Sequence, residues 1–189
     1  MKNIAIFASG HGTNARAIMK YFSGNEDVKV SLVVATKPGI GVIEFAAEAN
    51  VPCEVCLSKT DFGQGGKLDS LLKENEITHI VLAGCLAFIP AWLTTLYEGK
   101  IVNIHPSLLP KYGGKGMYGD RVHEAVLAAK EKESGITIHI VNEEFDSGPI
   151  IFQAKCEVKE DDTPDSLATR IHALEHKHFP EVIEKWVME

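Results

Sequence analysis

Short apolar runs that alternate with helix-like segments constrain the fold of this chain more than any other feature. Five such runs begin at Asn3, Val28, Val51, Ile77 and Lys100, and apolar residues at helical spacing lie between them. Continuous apolar runs are typical of strands buried on both faces, and strands separated by helices form parallel sheets with right-handed crossovers. We therefore predict an α/β fold with a Rossmann-like, mostly parallel sheet and flanking helices.

The second half of the chain departs from this pattern. Gly135–Val141 alternates between apolar and polar side chains, and Ile150–Val158 follows after a turn rich in carboxylates. This arrangement favours an antiparallel C-terminal strand pair. Thr163 and Pro164 provide the N-cap and first turn of a final helix that we expect to reach Trp186. Since no linker or repeat interrupts the 189 residues, we expect a single domain.

A glycine-rich turn, Ser9–Asn14, joins the first predicted strand to the first predicted helix. Glycines let the backbone approach an anion, and the first N–H groups of a helix face it, so the turn indicates a phosphate site. Gly10, Gly12 and Ala15 also fit a dinucleotide-binding fingerprint. That fingerprint needs an acidic residue after the second strand, and none follows Ala35. We therefore favour a monophosphate ligand, with a tight turn that binds nothing as the alternative.

Asn103–Pro110 follows the fifth predicted strand, Lys100–Asn103, at the point where we expect a loop to begin. Residues i and i+2 of an extended chain share a face, so Asn103 and His105 can enter one site. An amide donor beside an imidazole can stabilise an oxyanion and move a proton. The alternative is a loop in which both side chains satisfy turn backbone.

Ligands of parallel sheets bind beyond the carboxyl ends of the strands. Residues 10–14, 84–89 and 103–110 would all lie at this edge.

Charge and cysteine content narrow the classes of partner. The formal net charge of −7, without a basic stripe, argues against nucleic acid as a partner. No segment approaches the roughly 18 apolar residues of a membrane span, and the N-terminus lacks the pattern of a signal peptide. The four cysteines lie in apolar runs, which is typical of free thiols in a reducing compartment. We therefore expect a cytoplasmic protein that binds neither nucleic acid nor membrane.

Two short motifs resemble metal or redox sites. Cys53-x-x-Cys56 lies in an extended run after a proline, whereas a redox pair normally opens a helix. His172-x-x-Glu175-His176 matches a zinc peptidase signature, but few residues follow that could supply another ligand. We interpret the first motif as core thiols and the second as pocket or surface histidines, and we predict no metal.

Four motifs together carry a resemblance to a known family. They are Ser9–Asn14, Leu82-Ala83-Gly84, Asn103-Ile-His-Pro-Ser-Leu-Leu-Pro110 and Asp146-Ser-Gly-Pro149, in this order along the whole chain. The third and fourth resemble those of folate-dependent formyltransferases as a class. Gly-x-Gly-Thr-Asn in a short single domain narrows the resemblance to the phosphoribosylglycinamide formyltransferases of purine synthesis.

The resemblance implies a reaction and its residues. The glycinamide amine of 5-phosphoribosylglycinamide would attack the formyl carbon of the co-substrate 10-formyltetrahydrofolate, without a metal. Asn103, His105 and Asp146 would be catalytic, with a protonated His105 whose pKa is raised by Asp146. The N-terminal half would bind the phosphate and nucleotide, and the C-terminal half the folate. The implied substrate-binding residues are Gly10, Gly12, Thr13, Asn14, Ala15, His172 and Glu175, and the implied folate-binding residues are Leu86, Ala87, Phe88, Ile89, Asn103, Asn142, Glu143, Glu144, Phe145 and Asp146.

The chain also departs from the family pattern. His172 stands where some relatives have glutamine, and an arginine that some relatives use near the folate tail is missing around Gly63–Gly66. Lys111–Gly119 holds four glycines, differs from the commoner form and is expected to be a mobile loop.

Several alternatives stay open at this stage. Another folate-dependent formyltransferase, for methionyl-tRNA or a sugar nucleotide, is one, although the length of the chain and its acidity disfavour a tRNA partner. A formyltetrahydrofolate hydrolase would share the catalytic residues but usually carries a further regulatory domain. A non-catalytic nucleotide-binding module is the alternative from a different class. The expected partners are the two small molecules, and a homodimer is allowed but not required by the sequence.

Overall fold

The computed structural model describes residues 1–189 and contains one seven-stranded sheet. The strands are β1 (Lys2–Ala8), β2 (Val28–Ala35), β3 (Cys53–Val55), β4 (His79–Leu82), β5 (Ile101–His105), β6 (Glu133–Ile140) and β7 (Ile150–Glu157). The helices are α1 (Thr13–Tyr21), α2 (Val42–Glu48), α3 (Lys67–Glu74), α4 (Ala91–Leu96), α5 (Asp120–Ala128) and α6 (Pro164–Met188). The spatial order is β3-β2-β1-β4-β5-β6-β7.

The pairing of the strands confirms the predicted fold class. β1 to β5 pair in parallel, while β6 runs antiparallel to β5 and β7 runs antiparallel to β6. The order reverses at β1 and β4, which are neighbours although two strands lie between them in the chain. Their carboxyl ends therefore form a crevice, the usual place for a ligand in such sheets.

Two apolar clusters cover the two faces of the sheet. Alternation along β1 sends Ile4 and Ile6 into a cluster with α1, α2, α5 and α6, while Ala5 and Phe7 enter a second cluster with α3 and α4. All four side chains are fully buried. This burial on both sides explains why the parallel strands read as continuous apolar runs.

The structure corrects several predicted boundaries. β5 continues through His105, so the imidazole lies on a strand and not in the loop that we expected after Asn103. The reason is pairing with β6, which reaches His105 opposite Thr137, whereas pairing with β4 ends at Asn103. The third strand begins later than the apolar run that starts at Val51, since only Cys53–Val55 pairs with β2.

The long final helix α6 contains two of the implied site residues, His172 and Glu175. The Thr163 Oγ1 accepts a hydrogen bond from the Ser166 N–H, and the Ser166 Oγ accepts one from the Thr163 N–H, which together form a capping box. The helix runs two residues beyond the expected end at Trp186, whose indole N–H donates to the Gly99 carbonyl at 3.2 Å. No helix in the structure has the length and apolarity needed to cross a membrane.

We expect His79 to make the stability of the fold depend on pH. It is buried, packs edge-on against Trp186 at 4.9 Å between ring centroids, and burial with nearby Lys2 and Lys100 lowers its pKa to about 4. The unfolded chain therefore binds one more proton than the folded chain between about pH 4 and the ordinary histidine value, so stability falls as pH falls through this window. Urea unfolding at several pH values should show a shallower acid loss for His79→Phe. An unchanged slope would contradict the role of His79.

Candidate active site

A cavity of about 480 Å³ opens at the carboxyl edge of β4 and β5. It is lined by the loop after β4, by residues 103–106, by the loop 114–119, by the turn 142–146 and by two residues of α6. Of the catalytic, substrate-binding and folate-binding residues that the resemblance implies, fourteen line it: Asn14, Leu86, Ala87, Phe88, Ile89, Asn103, His105, Asn142, Glu143, Glu144, Phe145, Asp146, His172 and Glu175. Gly10, Gly12, Thr13 and Ala15 do not line it.

Asn103, His105 and Asp146 converge on one wall of the cavity, and we call them the polar trio. The His105 Nδ1 lies 3.5 Å from Asp146 Oδ2, and the Asn103 Nδ2 lies 3.5 Å from Asp146 Oδ1. The His105 Nε2 lies 2.7 Å from the carbonyl oxygen of Tyr112. Since a carbonyl only accepts, Nε2 carries a proton, and Nδ1 is the nitrogen that faces Asp146 and can gain or lose one.

The net charge state of His105 differs from the expectation. Burial lowers the pKa of His105, and the nearby Asp146 and the Tyr112 carbonyl offset this effect only in part. The side chain is only 5% exposed, so the charged ring loses most of its hydration. The prediction of a raised pKa is therefore wrong, because the expected effect of Asp146 is present but burial outweighs it.

Asp146 is held as an anion by its surroundings. Burial alone would raise its pKa, but His139, whose Nε2 lies 3.5 Å from Oδ1, the nearby His105 and the Gly114 N–H together lower the pKa. The Gly114 N–H donates to Oδ2 at 2.8 Å. The neighbouring Gly113 is needed for this approach, because a Cβ there would come within 2.5 Å of a Leu109 methyl group and 3.3 Å of the Asp146 Cβ.

His139 is a site residue that the sequence analysis missed. Its side chain is buried and lines the cavity. The ring Nδ1 lies 2.9 Å from the Ile140 carbonyl and therefore donates, which leaves Nε2 as the acceptor for the Asn103 amide at 3.1 Å when the ring is neutral. This bond fixes which way the Asn103 amide points. The antiparallel register places Asn103 opposite His139, and only that register could have revealed the pair.

The glycine-rich turn reaches the cavity through Asn14. The Asn14 Nδ2 donates to Glu175 Oε2 at 2.8 Å, and the His172 Nδ1 lies 2.9 Å from the same oxygen. The hydrogen bond to Glu175 raises the pKa of His172. We call the part of the cavity at Asn14, His172 and Glu175 the acidic end.

The backbone of the glycine-rich turn leaves room for an anion to approach the first N–H groups of α1. Gly12 has a φ of +81°, and a Cβ there would come within 2.6 Å of the Val42 Cβ, so only glycine fits. The N–H groups of Thr13, Asn14 and Ala15 make no hydrogen bond within the chain. Free amides at the start of a helix form an anion site.

An aromatic pair lines a further part of the cavity, which we call the aromatic end. Phe88 and Phe145 have ring centroids 5.9 Å apart, and 61% and 54% of their surfaces are exposed. The loop that carries Phe88 is fixed to the sheet, because the Leu86 N–H donates to the Ser9 Oγ at 2.7 Å. This part of the cavity can cover a flat, apolar ligand.

Neither short motif forms a metal or redox site in the structure. All four cysteines are free, and burial raises the pKa of the Cys56 thiol to about 11. His172 is bonded to Glu175 and stacks on His176 with ring centroids 6.3 Å apart. No cluster of three or more potential metal-ligating side chains is present.

The mostly parallel sheet with its antiparallel extension agrees with the family comparison. The family model described as formyl transferase matches residues 2–183, and the chain belongs to this family. Within it the chain is a member of the phosphoribosylglycinamide formyltransferases, which confirms the resemblance seen in the sequence.

Three relatives illustrate this membership. The Bacillus subtilis phosphoribosylglycinamide formyltransferase is 38% identical over 98% of this chain and 94% of its own length. The chloroplastic enzyme of Arabidopsis thaliana is 40% identical over 96% of this chain, which spans only 64% of that relative. The crystal structure of the Bacillus halodurans enzyme superposes with a TM-score of 0.87 at 39% identity, over 97% of this chain and 94% of that one.

Proposed function

We propose that this protein transfers the formyl group of 10-formyltetrahydrofolate to the glycinamide amine of 5-phosphoribosylglycinamide, a step of purine biosynthesis. The observation that carries the proposal is the polar trio, which lines one cavity together with Asn14, from the turn with free helical amides, and with the aromatic pair Phe88 and Phe145. A phosphorylated amine and a flat formyl donor would meet at the trio. The relatives are named transferases, so the hydrolase alternative is not favoured.

In the proposed reaction the amine attacks the formyl carbon and forms a tetrahedral oxyanion. The Asn103 amide donates a hydrogen bond to this oxygen, and the His105 Nδ1 donates a second one after it has gained a proton. His105 enters neutral, because burial lowers its pKa, and its Nδ1 takes the proton that the amine loses. The imidazolium then stabilises the oxyanion beside Asp146 and returns the proton to the folate nitrogen, as the bond from the formyl carbon to that nitrogen breaks. The revised role is thus a ring that becomes a cation during the reaction.

Asp146 and His139 stabilise and orient the other groups of the site in the proposed reaction. Asp146 stabilises the imidazolium when it forms, since Oδ2 already lies 3.5 Å from Nδ1. His139 accepts one N–H group of the Asn103 amide, and the other N–H makes a long contact of 3.5 Å with Asp146 Oδ1, which the amide would exchange for the oxyanion. The Tyr112 carbonyl fixes the orientation of the His105 ring.

The ribonucleotide is proposed to bind between the glycine-rich turn and the acidic end. Its phosphate would accept the free N–H groups of Thr13, Asn14 and Ala15, with Gly10 and Gly12 allowing the approach. Ala15 has no polar side-chain atom, so only its backbone N–H could contribute. His172 and Glu175 would contact the ribose and the glycinamide group.

The folate is proposed to bind at the aromatic end. Its pterin would lie against Leu86–Ile89 and Asn142–Asp146, mainly through backbone groups. These two segments come from different parts of the chain. The proposed division assigns the nucleotide to the N-terminal half and the folate to the C-terminal half. Asn142–Asp146 fits this division, whereas Leu86–Ile89 lies in the N-terminal half.

Formyl transfer in a purified system tests the proposal. The protein is mixed with 5-phosphoribosylglycinamide and 10-formyltetrahydrofolate or its dideaza analogue, and the release of deformylated folate is followed. Release that depends on the ribonucleotide is the expected result. Release without the ribonucleotide would point to a hydrolase, and no turnover with any acceptor would leave a nucleotide-binding module.

We expect Gly12→Ala to weaken binding of the ribonucleotide. The added methyl group meets Val42 and the backbone has a positive φ, so the first turn of α1 must move away from the phosphate. Steady-state kinetics should show a KM for the ribonucleotide raised by about tenfold or more, with little change in the KM for folate. Gly24→Ala is the matched control, because Gly24 has a similar φ of +76° but open space around it. Equal effects of both variants would contradict the proposed phosphate site.

Location and assembly remain predictions. Four free cysteines agree with a reducing compartment such as the cytoplasm. A homodimer is proposed only as an allowed assembly, and light scattering coupled to size-exclusion chromatography would decide it.

A further inference from the structure

Unpartnered buried polar atoms are found among the residues that line the cavity. Four buried side-chain atoms of the chain have no hydrogen-bond partner, and two of them, Asn14 Oδ1 and His123 Nδ1, belong to residues that line the cavity. The other two, in Ser134 and Arg170, lie on residues outside it. Folded proteins seldom leave such atoms unpaired, because the lost hydration is not replaced. The two cavity atoms therefore point to a ligand.

His123 lies among the polar groups of the site. It is on α5, is only 2% exposed and has no hydrogen bond within the chain at either ring nitrogen. Burial lowers the pKa of His123, as do the nearby His172 and His105, while Asp120 and Glu175 act in the opposite direction. The ring is thus neutral at neutral pH and lies within electrostatic reach of both the polar trio and the acidic end.

The groups around this end mostly accept hydrogen bonds. The amide N–H of Asn14 is already used by Glu175, which leaves its carbonyl oxygen unpaired. The Glu175 carboxylate only accepts, and a neutral imidazole keeps one nitrogen lone pair. A ligand that satisfies these three groups must bring several N–H or O–H donors. An amino group near ribose hydroxyls has this character.

Resting on the function proposed above, we propose that His123 is a specificity-determining contact of the ribonucleotide, where its neutral ring accepts a hydrogen bond from the glycinamide amino group. The amino group is the donor closest to the reacting centre, and His123 is the unpaired acceptor that is electrostatically coupled to both His105 and Glu175. An acceptor at this place would hold the amine by its N–H and direct its lone pair towards the formyl carbon. His123 thus adds a contact that the sequence motifs do not include.

Steady-state kinetics and calorimetry with His123→Phe and His123→Gln test this contact. Phenylalanine fills the space without a nitrogen, and we expect a KM for 5-phosphoribosylglycinamide raised about tenfold, with the KM for 10-formyltetrahydrofolate within twofold of the wild type. Glutamine offers an acceptor oxygen and should recover part of the loss. The matched control is His79→Phe, which changes a buried histidine outside the cavity and should leave both KM values unchanged.

The outcomes separate this contact from the proposed function. A wild-type KM for the ribonucleotide in His123→Phe overturns the contact, and so does an equal rise of both KM values, which would indicate a distorted cavity. The contact is also overturned if His123→Gln has the melting temperature of the wild type but its KM for the ribonucleotide is as high as that of His123→Phe. If the wild type binds 5-phosphoribosylglycinamide in calorimetry but does not formylate it, the proposed function fails, while the affinities of the His123 variants still decide the contact.

Discussion

Asp146→Asn is expected to lower kcat by at least about 100-fold while the protein stays folded. The amide is isosteric, but it removes the charge that stabilises the His105 imidazolium in the proposed reaction. Asp146 also opposes the effect of burial on His105, so the variant should have a still lower His105 pKa. A ring that is harder to protonate is a weaker base for the amine. Steady-state assays at several pH values should show the loss in kcat. The limb of the pH–rate profile that depends on His105 should move to lower pH.

Asp162→Asn is the control for this prediction. Asp162 is also a carboxylate with a largely buried side chain, but it pairs with Arg170 and does not line the cavity. Its pKa is lowered mainly by that hydrogen bond. Loss of the charge should reduce the melting temperature and leave kcat per folded molecule close to that of the wild type. Near-normal turnover by Asp146→Asn would remove Asp146 from the proposed mechanism.

The fold could be predicted from the sequence because the buried strands and the start of the final helix each have a recognisable local sequence pattern. β1 and β2 are buried on both faces and read as continuous apolar runs, and Thr163-Pro164 marks the start of α6. The ends of elements were less predictable where pairing partners decide them. His105 belongs to β5 only because β6 extends beside it, and the register with β6 is not encoded near His105 itself.

The candidate site divides in the same way. Asn103 and His105 lie two residues apart on one strand, so their common face follows from local geometry. His139 and His123 have no such signature, because each reaches the cavity through the packing of a distant element. The charge state of His105 was also beyond local reasoning. A neighbouring carboxylate can be inferred from a motif, whereas the burial that outweighs it depends on the whole cavity.

Asn103→Ala is expected to lower kcat by about 100-fold or more, because the proposed oxyanion loses a preorganised amide donor. The amide is preorganised by His139, whose Nε2 lies 3.1 Å from the Asn103 Nδ2. A donor that acts mainly on the transition state should affect kcat more than either KM. The measurement is steady-state formyl transfer with both substrates varied.

Asn3→Ala is the matched control, since Asn3 is an asparagine on a parallel strand of the same sheet, whose side chain donates to the Glu76 carbonyl outside the cavity. It should change the melting temperature without changing kcat. A second comparison uses Asn103→Asp, which keeps the shape but puts a carboxylate beside Asp146, where the Nδ2 now lies 3.5 Å from Oδ1. That variant loses the donor and adds repulsion, so it should be at least as slow as Asn103→Ala. If Asn103→Asp retained most of the activity, the Asn103 amide could not be the oxyanion donor, because an anion there would oppose the charge that develops in the proposed reaction.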